Sequence, residues 1–404
     1  MSIYDELGVT TVINGVGPAT RLGGLPVSEP VWAAMREAMS VTVRISALQA
    51  AAGRRLSSLL GVPACYVTSG AAAALTLGTA VALTGSDSAR VDALPNTMGM
   101  PNRVIIQRAQ RDPYDHAITA AGAELVEIGY PHTTHTSELE RAIDERTAAV
   151  LVRPGAPGNL LTLRTISDIA HEHGIPVIVD GALRVPPIER LQQFFADGAD
   201  LVAVSGGKKF RAPQATGILC GRPDLIAAVA LHHQDMDERE QTWMSGELAG
   251  SPEPWARSAP PRHGIGRSMK VGREQIAGLV TAVDRYVNAP GEDDRDGLAE
   301  LDILEEQLRG QSSTAVTRGF EESLDVPVLH LDLSAAGVDI DTVIRALATG
   351  DPAIAVGEDH AWRSVLTVNP LALLPGDGAR FAAAFARTLD LLSADGATTD
   401  GASS

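Results

Sequence analysis

The sequence predicts an α/β fold with a mostly parallel sheet. Residues 176–180 (PVIVD) and 202–205 (VAVS) are short apolar runs rich in valine and isoleucine, and such runs are typical of strands buried on both faces. Apolar periodicity alternates between helices and strands of this kind from residue 28 to residue 205. Only 4% of residues are aromatic while 45% are hydrophobic, so alanine and valine must fill much of the core. The 404 residues suffice for one large and one smaller domain.

Local patterns locate each element of the larger domain. Ser28 as N-cap and Pro30 in the first turn predict a helix that ends at Met39. Further helices are predicted at residues 46–60, 69–83, 113–121, 137–144 and 164–173, and strands at 65–68, 104–107, 123–128, 148–152, 175–179 and 200–204. Residues 84–102 are expected to be irregular. Residues 232–262 lack a clear period and are interpreted as a long excursion of the kind that often forms a lid.

A second, smaller α/β region is expected after residue 290. A helix from Val271 to Tyr286 leads into an acidic, glycine-containing linker at 290–297. Beyond it, helices are predicted at 298–308, 339–348 and 375–393, and strands near 327–332, 353–356 and 364–368. The predicted domains are an N-terminal arm with the first helix (1–40), a large domain (41–270), a connecting helix and linker (271–295), a small domain (296–393) and a disordered tail (394–404).

A lysine follows a glycine turn at the end of an apolar strand, in the motif SGGK at residues 205–208. The hydroxyl of Ser205 and the backbone N–H groups of the glycines can bind a phosphate. The apolar strand behind the turn lowers the pKa of an amine, so Lys208 or its neighbour Lys209 could form a Schiff base. A surface lysine in a β-turn is the alternative interpretation.

Two upstream segments complete a cofactor site. Asp180 ends a buried strand at the edge where α/β sheets bind ligands, and its carboxylate could hold a pyridinium N–H. Ser69, Gly70 and Ala71 begin an alanine-rich helix, whose N-terminal backbone donors can bind a phosphate. Phosphate anchor, ring-nitrogen partner and Schiff-base lysine together predict pyridoxal 5'-phosphate as the cofactor.

With these motifs the chain resembles fold-type I pyridoxal phosphate enzymes, in particular the group of seryl-tRNA(Sec) selenium transferase-like proteins and D-glucosaminate-6-phosphate ammonia-lyase. The matching segments are residues 12–15 with 20–24, 67–74, 105–108 with 114–116, 176–180, 205–208 and 263–274. The resemblance implies the fold-type I transferase fold, a large domain with a mostly parallel sheet of the seven-stranded type and a smaller C-terminal α/β domain. It also favours Lys208 over Lys209 as the Schiff-base lysine.

The resemblance adds four residues to the expected site. Gln110 occupies a position where many relatives have histidine, in a region that often covers the pyridine ring. Arg21 could bind a substrate carboxylate with its planar guanidinium, and a surface arginine is the alternative. Arg267 and Lys270 are three residues apart in a region placed near the active site, where they could bind phosphate or substrate; an exposed helix face explains this spacing equally well.

A metal site is not expected. His232, His233, Asp235 and Asp237 offer possible ligands, but no second cluster of ligands accompanies them, so a polar loop is the simpler interpretation.

The expected substrate is a small amino acid or amino-sugar acid. An external aldimine would form at its α-amino group, Lys208 would act as general base at Cα, and the protonated ring held by Asp180 would store the electrons as a quinonoid. Elimination with deamination, as in an ammonia-lyase, is the preferred outcome. Decarboxylation with or without oxygen, transamination, and a catalytically idle pyridoxal phosphate-binding regulatory protein remain alternatives.

Composition excludes several partners. The formal charge of −17 disfavours nucleic acid, and the shared motifs begin by Ile13, so a tRNA-binding domain and selenium transfer to tRNA are not expected. No apolar run reaches a membrane-spanning length, and residues 1–6 lack the plan of a signal peptide. A cytoplasmic location is expected, with Cys65 and Cys220 as buried, reduced residues. The resemblance implies a homodimer or higher homo-oligomer with active sites at subunit boundaries.

Overall fold

The computed structural model describes residues 2–235, 237, 239, 241, 262–311 and 313–394 in full, and residues 395–400 by their backbone. It divides the chain into two compact units. Unit 1 comprises Met1–Pro26 and Ala289–Ser404, and unit 2 comprises Val27–Asn288. The first residues of the chain therefore group with its C-terminal part, whereas the first long helix groups with the large sheet.

Helices and strands alternate along most of unit 2, and the bounds below are those of both units. The strands are β1 (Val12–Gly15), β2 (Cys65–Thr68), β3 (Arg103–Gln107), β4 (Glu124–Ile128), β5 (Thr147–Val152), β6 (Val177–Asp180), β7 (Leu201–Ser205), β8 (Gly217–Gly221), β9 (Ala315–Glu321), β10 (Val326–Asp332), β11 (Ala353–Val356) and β12 (Val365–Val368). The α-helices are α1 (Ile3–Leu7), α2 (Glu29–Met39), α3 (Ile45–Leu60), α4 (Ala71–Thr84), α5 (Ser88–Ala93), α6 (His116–Thr119), α7 (Thr136–Ala142), α8 (Leu163–Glu172), α9 (Ile188–Ala196), α10 (Pro223–His233), α11 (Arg273–Asn288), α12 (Arg295–Leu308), α13 (Ile340–Thr349) and α14 (Asp377–Asp400).

Unit 2 is built on a seven-stranded sheet with the order β2-β8-β7-β6-β5-β3-β4. All strands are parallel except β8, which runs antiparallel to both of its neighbours. Successive residues of one strand pack on opposite faces: Val177 and Val179 of β6 belong to one buried cluster, and Ile178 belongs to the other. Helices cover both faces, which explains the continuous apolar runs that predicted a parallel sheet. The prediction of a mostly parallel, seven-stranded sheet is confirmed.

Four elements of unit 2 were not predicted, and strand β8 is one of them. Helix α5 lies in the stretch expected to be irregular, and α9 has no counterpart among the predicted helices. Helix α10 extends into the predicted excursion as far as His233. Its last eight residues, 226–233, are all buried, so it shows no polar face and no helical period in the sequence. Residues 242–261 of the excursion lie outside the described residues.

Unit 1 contains a three-stranded antiparallel sheet with the order β12-β10-β9 and a parallel pair formed by β1 and β11. Helices α12, α13 and α14 contribute to its apolar core, with Phe381 and Phe385 fully buried. The predicted strands at 327–332, 353–356 and 364–368 are present, whereas β9 was missed because it is a largely exposed edge strand. The last helix continues past its predicted end at 393 to Asp400. None of the described helices is both long and apolar enough to cross a membrane.

Candidate active site

The strand register brings Asp180, Ser205 and the residue before Ser69 to one edge of the sheet. Gly217 pairs with Thr68 of β2 on one side and with Ser205 of β7 on the other. Asp180 pairs with Ala203 of β7. Strands β2, β3, β4, β5, β6 and β7 run in the same direction, so their carboxyl ends form the edge at which α/β sheets bind ligands.

The start of α4 presents uncapped backbone donors. Gly70 is its N-cap with a φ of 120°, and no side chain caps the first turn, so the first backbone N–H groups are available to a ligand. Strand β8 approaches this turn so closely that a Cβ on Gly217 would lie 2.5 Å from the carbonyl carbon of Gly70 and 2.8 Å from the nitrogen of Ala71. Ser69 and Ala71 are half-buried at the mouth of this turn. The predicted residues Ser69, Gly70 and Ala71 thus form a tight cradle that requires a glycine beside it.

The lysine loop folds back on the chain just before β8. A Cβ on Gly206 would lie 2.3 Å from Thr216 Oγ1, and one on Gly207 would lie 2.7 Å from Gln214 Cα. Both positions therefore need glycine. Burial lowers the pKa of the Lys208 ammonium, and the negative charges of Asp180 and Asp112 raise it without reversing that shift. Lys208 thus has the depressed amine pKa that its motif predicts.

The Asp180 carboxylate is held on both oxygens. Its Oδ1 accepts a hydrogen bond from the backbone N–H of Ala182 at 3.2 Å, and its Oδ2 accepts one from Arg153 Nε at 3.2 Å. The side chain is only 13% exposed. A cation at the sheet edge would meet this carboxylate in a fixed orientation.

Arg153 is a buried site residue that sequence reasoning missed. Besides Asp180, its Nη1 donates to the carboxylate of Asp115 and, at 3.1 Å, to the backbone carbonyl of Gln110. Burial raises the pKa of Asp115, but the hydrogen bonds from Arg153 and Arg111 outweigh burial and hold it below its usual range. Arg153 Nη2 is buried and has no acceptor among the described residues. Its position directly after a buried strand is the signal that also identified Asp180.

Gln110 is buried and tied to the same arginine. Its side-chain Oε1 accepts a hydrogen bond from the backbone N–H of Arg153 at 3.0 Å. It lies in a short 3-10 helix, Arg108–Gln110, immediately after β3. Part of its amide therefore holds Arg153 in place. The role of Gln110 beside the cofactor ring stays a prediction.

Of the remaining predicted residues, Arg21 and Arg267 form ion pairs with carboxylates. Arg21 belongs to unit 1, is exposed and forms an ion pair with Glu358 at 3.9 Å. Arg267 lies in the 3-10 helix Ile265–Met269, where its Nη2 donates to Asp235 Oδ2 at 2.6 Å. Lys270 follows this helix and is exposed. The roles of these three residues toward a substrate stay predictions.

The four residues weighed as metal ligands do not group together. His232 and His233 are buried, and they bond to Thr84 Oγ1 and to the hydroxyl of Tyr66. Asp235 and Asp237 instead lie near His263, with their ligand atoms within 4.8 Å of one another, but all three are exposed and Asp235 already pairs with Arg267.

The edge of unit 2 fits pyridoxal phosphate. Gly217 and Gly70 leave room against uncapped backbone donors for a phosphate, Lys208 supplies an amine of lowered pKa, and Asp180 supplies an oriented carboxylate for a ring nitrogen. These are the three groups that the sequence predicted for this cofactor.

Comparisons with known proteins agree with a pyridoxal phosphate enzyme. A family model described as L-seryl-tRNA selenium transferase matches residues 104–237. The chain is 31% identical over 391 residues to 5'-C-glycyluridine monooxygenase-decarboxylase from a Streptomyces species, covering 92% of this chain and 88% of that protein. It is 33% identical over 292 residues to D-glucosaminate-6-phosphate ammonia lyase of Salmonella typhimurium, covering 70% of each.

Solved structures give the same result. The structure of a D-glucosaminate-6-phosphate ammonia-lyase matches with a TM-score of 0.82 at 28% identity, covering 97% of this chain and 99% of that chain. The cysteine desulfurase CsdA from Escherichia coli matches with a TM-score of 0.53 at 19% identity, covering 95% of this chain and 96% of that one, which supports the fold alone. The fold-type I fold, the pyridoxal phosphate cofactor and the expected enzyme class, a pyridoxal phosphate-dependent lyase, are confirmed. The chain belongs to the selenium transferase-like family of fold-type I pyridoxal phosphate enzymes, which includes D-glucosaminate-6-phosphate ammonia-lyase.

Proposed function

We propose that this protein is a lyase that removes a substituent from Cβ and then ammonia from a small amino acid or amino-sugar acid. The observation that carries the proposal is Lys208, an amine of lowered pKa in a loop that follows the sheet edge bearing Asp180. The likeness to D-glucosaminate-6-phosphate ammonia lyase, at 33% identity, supports this outcome.

Each residue has a defined task in this proposal. Pyridoxal phosphate, when bound, withdraws electrons from Cα of the amino substrate joined to it. The backbone donors of Ser69, Gly70 and Ala71 bind the phosphate together with the Ser205 hydroxyl. Asp180 keeps a proton on the ring nitrogen through its oriented carboxylate.

Lys208 moves the proton at Cα. Because burial holds its pKa below that of an ordinary lysine, more of its amine is neutral near neutral pH and able to accept a proton. Lys208 would hold the cofactor covalently and, once the substrate has displaced it, would accept the Cα proton. The substituent at Cβ would leave with the electron pair released at Cα, and water would displace the amino group as ammonia.

Oxygen-dependent decarboxylation is the second candidate. The relative that spans 92% of this chain is a monooxygenase-decarboxylase, whereas the ammonia lyase match spans 70%. In this alternative the carboxylate at Cα leaves as carbon dioxide, and molecular oxygen is the oxidant. The same lysine and aspartate would serve both reactions.

The proposal is tested by incubating the holoenzyme with a panel of amino acids and amino-sugar acids, in air and under nitrogen. Ammonia, carbon dioxide and oxygen consumption are measured together. Ammonia release that is equal in both atmospheres supports the lyase, whereas oxygen uptake matched by carbon dioxide replaces it with the second candidate. Spectral change without any product would indicate a cofactor-binding protein without turnover and would overturn both.

Two variants test the assignment of the lysine. We expect Lys208→Ala to lose the visible absorbance of the lysine-linked cofactor and Lys209→Ala to keep it. Lys209 is the matched control because it is the adjacent residue and is buried, with 8% exposure. The reverse pattern would show that Lys209 binds the cofactor.

The remaining proposals concern substrate-binding residues, assembly, location and partners. We place Arg267 and Lys270 at a substrate or phosphate site, and Arg21 at a substrate carboxylate; the positive charge of all three supports this. The family resemblance supports a homodimer or higher homo-oligomer. It also supports a cytoplasmic location and a small-molecule substrate. The formal charge of −17 supports the proposal that no nucleic acid is a partner, and the lack of a spanning apolar run supports the same for a membrane.

A further inference from the structure

Arg153 joins two buried carboxylates at the centre of the site. Its Nε donates to Asp180 Oδ2 at 3.2 Å, and its Nη1 donates to Asp115. The arginine side chain is 10% exposed, and the two carboxylate side chains are 11% and 13% exposed. The register explains the contact with Asp180, because β5 pairs with β6 up to Val179, so that residues 153 and 180 leave adjacent strands side by side.

A guanidinium at this position changes what Asp180 can do. A charge-assisted hydrogen bond stabilises the ionised form of a carboxylate and reduces its affinity for a further proton or cation. Little water is present at these buried side chains to screen the interaction, so its effect is larger than at the surface. Asp180 therefore offers less negative charge to a ring nitrogen than an aspartate without such a neighbour.

The orientation of Arg153 is itself fixed. The backbone N–H of Arg153 donates to Gln110 Oε1 at 3.0 Å, and its Nη1 donates to the carbonyl of Gln110 at 3.1 Å. Asp115 is in turn paired with Arg111, which also contacts Glu127. The guanidinium cannot turn away from Asp180 without breaking several of these contacts.

We propose that Arg153 is a positioning residue that withdraws negative charge from Asp180 and fixes its orientation, so that the ring nitrogen of the bound cofactor holds its proton less firmly. The proposal rests on the proposed function, in which Asp180 is the partner of that nitrogen. Arg153 acts only through the carboxylate, and it sets how strongly the cofactor withdraws electrons.

The other charged groups near Arg153 and Asp180 are the same in every single variant at position 153. Lys208 lies close enough to Asp180 and Asp112 to interact electrostatically with both carboxylates. Asp115 and Arg111 face Arg153 from the segment after β3. A comparison between variants at position 153 therefore isolates the arginine.

The test is the ¹⁵N chemical shift of the ring nitrogen in holoenzyme reconstituted with ring-labelled pyridoxal phosphate, recorded against pH. In Arg153→Met we expect the pKa of the ring nitrogen to rise by about one unit, a tenfold gain in proton affinity. Arg153→Lys keeps a positive charge and should restore most of the wild-type shift. Arg111→Met is the matched control, because it removes the other arginine on Asp115 without touching Asp180, and its ¹⁵N shift should equal that of the wild type.

Each outcome decides a separate claim. If Asp180→Asn changes the ¹⁵N shift and Arg153→Met does not, the inference is wrong while the proposed role of Asp180 stands. If neither variant changes it, Asp180 is not the ring partner and both are wrong. If Arg153→Met does not fold because Asp115 loses one of its two arginine partners, the double variant Arg153→Met/Asp115→Asn removes that buried charge, and the same rise is expected.

Discussion

Replacing Gly217 with alanine should weaken cofactor binding. Its Cβ in an alanine variant would lie 2.5 Å from the carbonyl carbon of Gly70 and 2.8 Å from the nitrogen of Ala71, and both of those atoms are backbone. The turn that begins α4 must therefore retreat by roughly 1 Å to restore an ordinary contact, because close-packed interiors hold few voids that could absorb the shift. That turn carries the donors for the phosphate.

The expected magnitudes follow from this displacement. Overpacking a buried contact costs about 1–3 kcal/mol of stability. A hydrogen bond to a charged group contributes roughly 1.5–3 kcal/mol, so the loss of one phosphate contact weakens binding roughly 10- to 100-fold. Urea unfolding of the apoprotein measures the first effect, and titration of the apoprotein with pyridoxal phosphate measures the second.

Gly78→Ala is the matched control. Gly78 also lies in α4 and faces the sheet, but its new Cβ would meet Leu201 Cδ1 at 3.4 Å, an ordinary contact. We expect it to be neutral or to stabilise the protein by up to about 1 kcal/mol, since alanine favours a helix over glycine. A Gly217→Ala protein that bound pyridoxal phosphate within twofold of the wild type would refute the reasoning.

Three further results are expected. Asp180→Asn should still bind pyridoxal phosphate but lose on the order of a hundredfold or more in turnover, because a neutral amide stabilises a pyridinium poorly; near-normal turnover on the true substrate would contradict this. Light scattering should find a dimer or larger assembly, and a fully active monomer at high dilution would rule that out. Burial lowers the pKa of His232 to about 4 from an ordinary value of 6.5, so the unfolded chain takes up a proton that the native one does not as the pH falls below 6.5. Stability that is present above pH 6.5 should thus decline by up to about 3 kcal/mol toward pH 4. Urea unfolding at pH 7 and pH 4.5 measures how far the free energy of unfolding declines. We expect His232→Gln to lack the part of this decline that His232 causes, and an equal decline in the variant and the wild type would exclude the explanation.

The site residues that could be predicted from the sequence are those with local signals. Lys208 follows a glycine turn and Asp180 ends a buried strand, so each is marked by its neighbours in the chain. Gly217 carries no such signal, and Arg153, although it follows a buried strand, has partners that its neighbours in the chain do not reveal. Their contacts with Gly70 and Asp180 arise only when separate strands pair in a particular register.

The missed elements have a similar explanation. Strand β8 is a five-residue segment bounded by glycines, and its place in the sheet depends on pairing with the distant strands β2 and β7. The ion pair between Arg267 and Asp235 joins residues on two segments that periodicity cannot bring together. Patterns along the chain predict which face of a helix or strand is buried. They do not predict which polar side chains of separate segments contact each other.

Strand β8 has a consequence for how such proteins diversify. Its first residue, Gly217, is hydrogen-bonded between the strands that lead to the phosphate turn and to the lysine loop, so both anchors of the cofactor depend on one strand end. Gln110 and Arg153 follow other strands of the sheet, β3 and β5. If the proposed roles of these residues hold, mutations there would change the chemistry without loosening the anchors. Relatives of one ancestral chain can therefore acquire different reactions, as a decarboxylase and an ammonia lyase illustrate, while they keep the same cofactor.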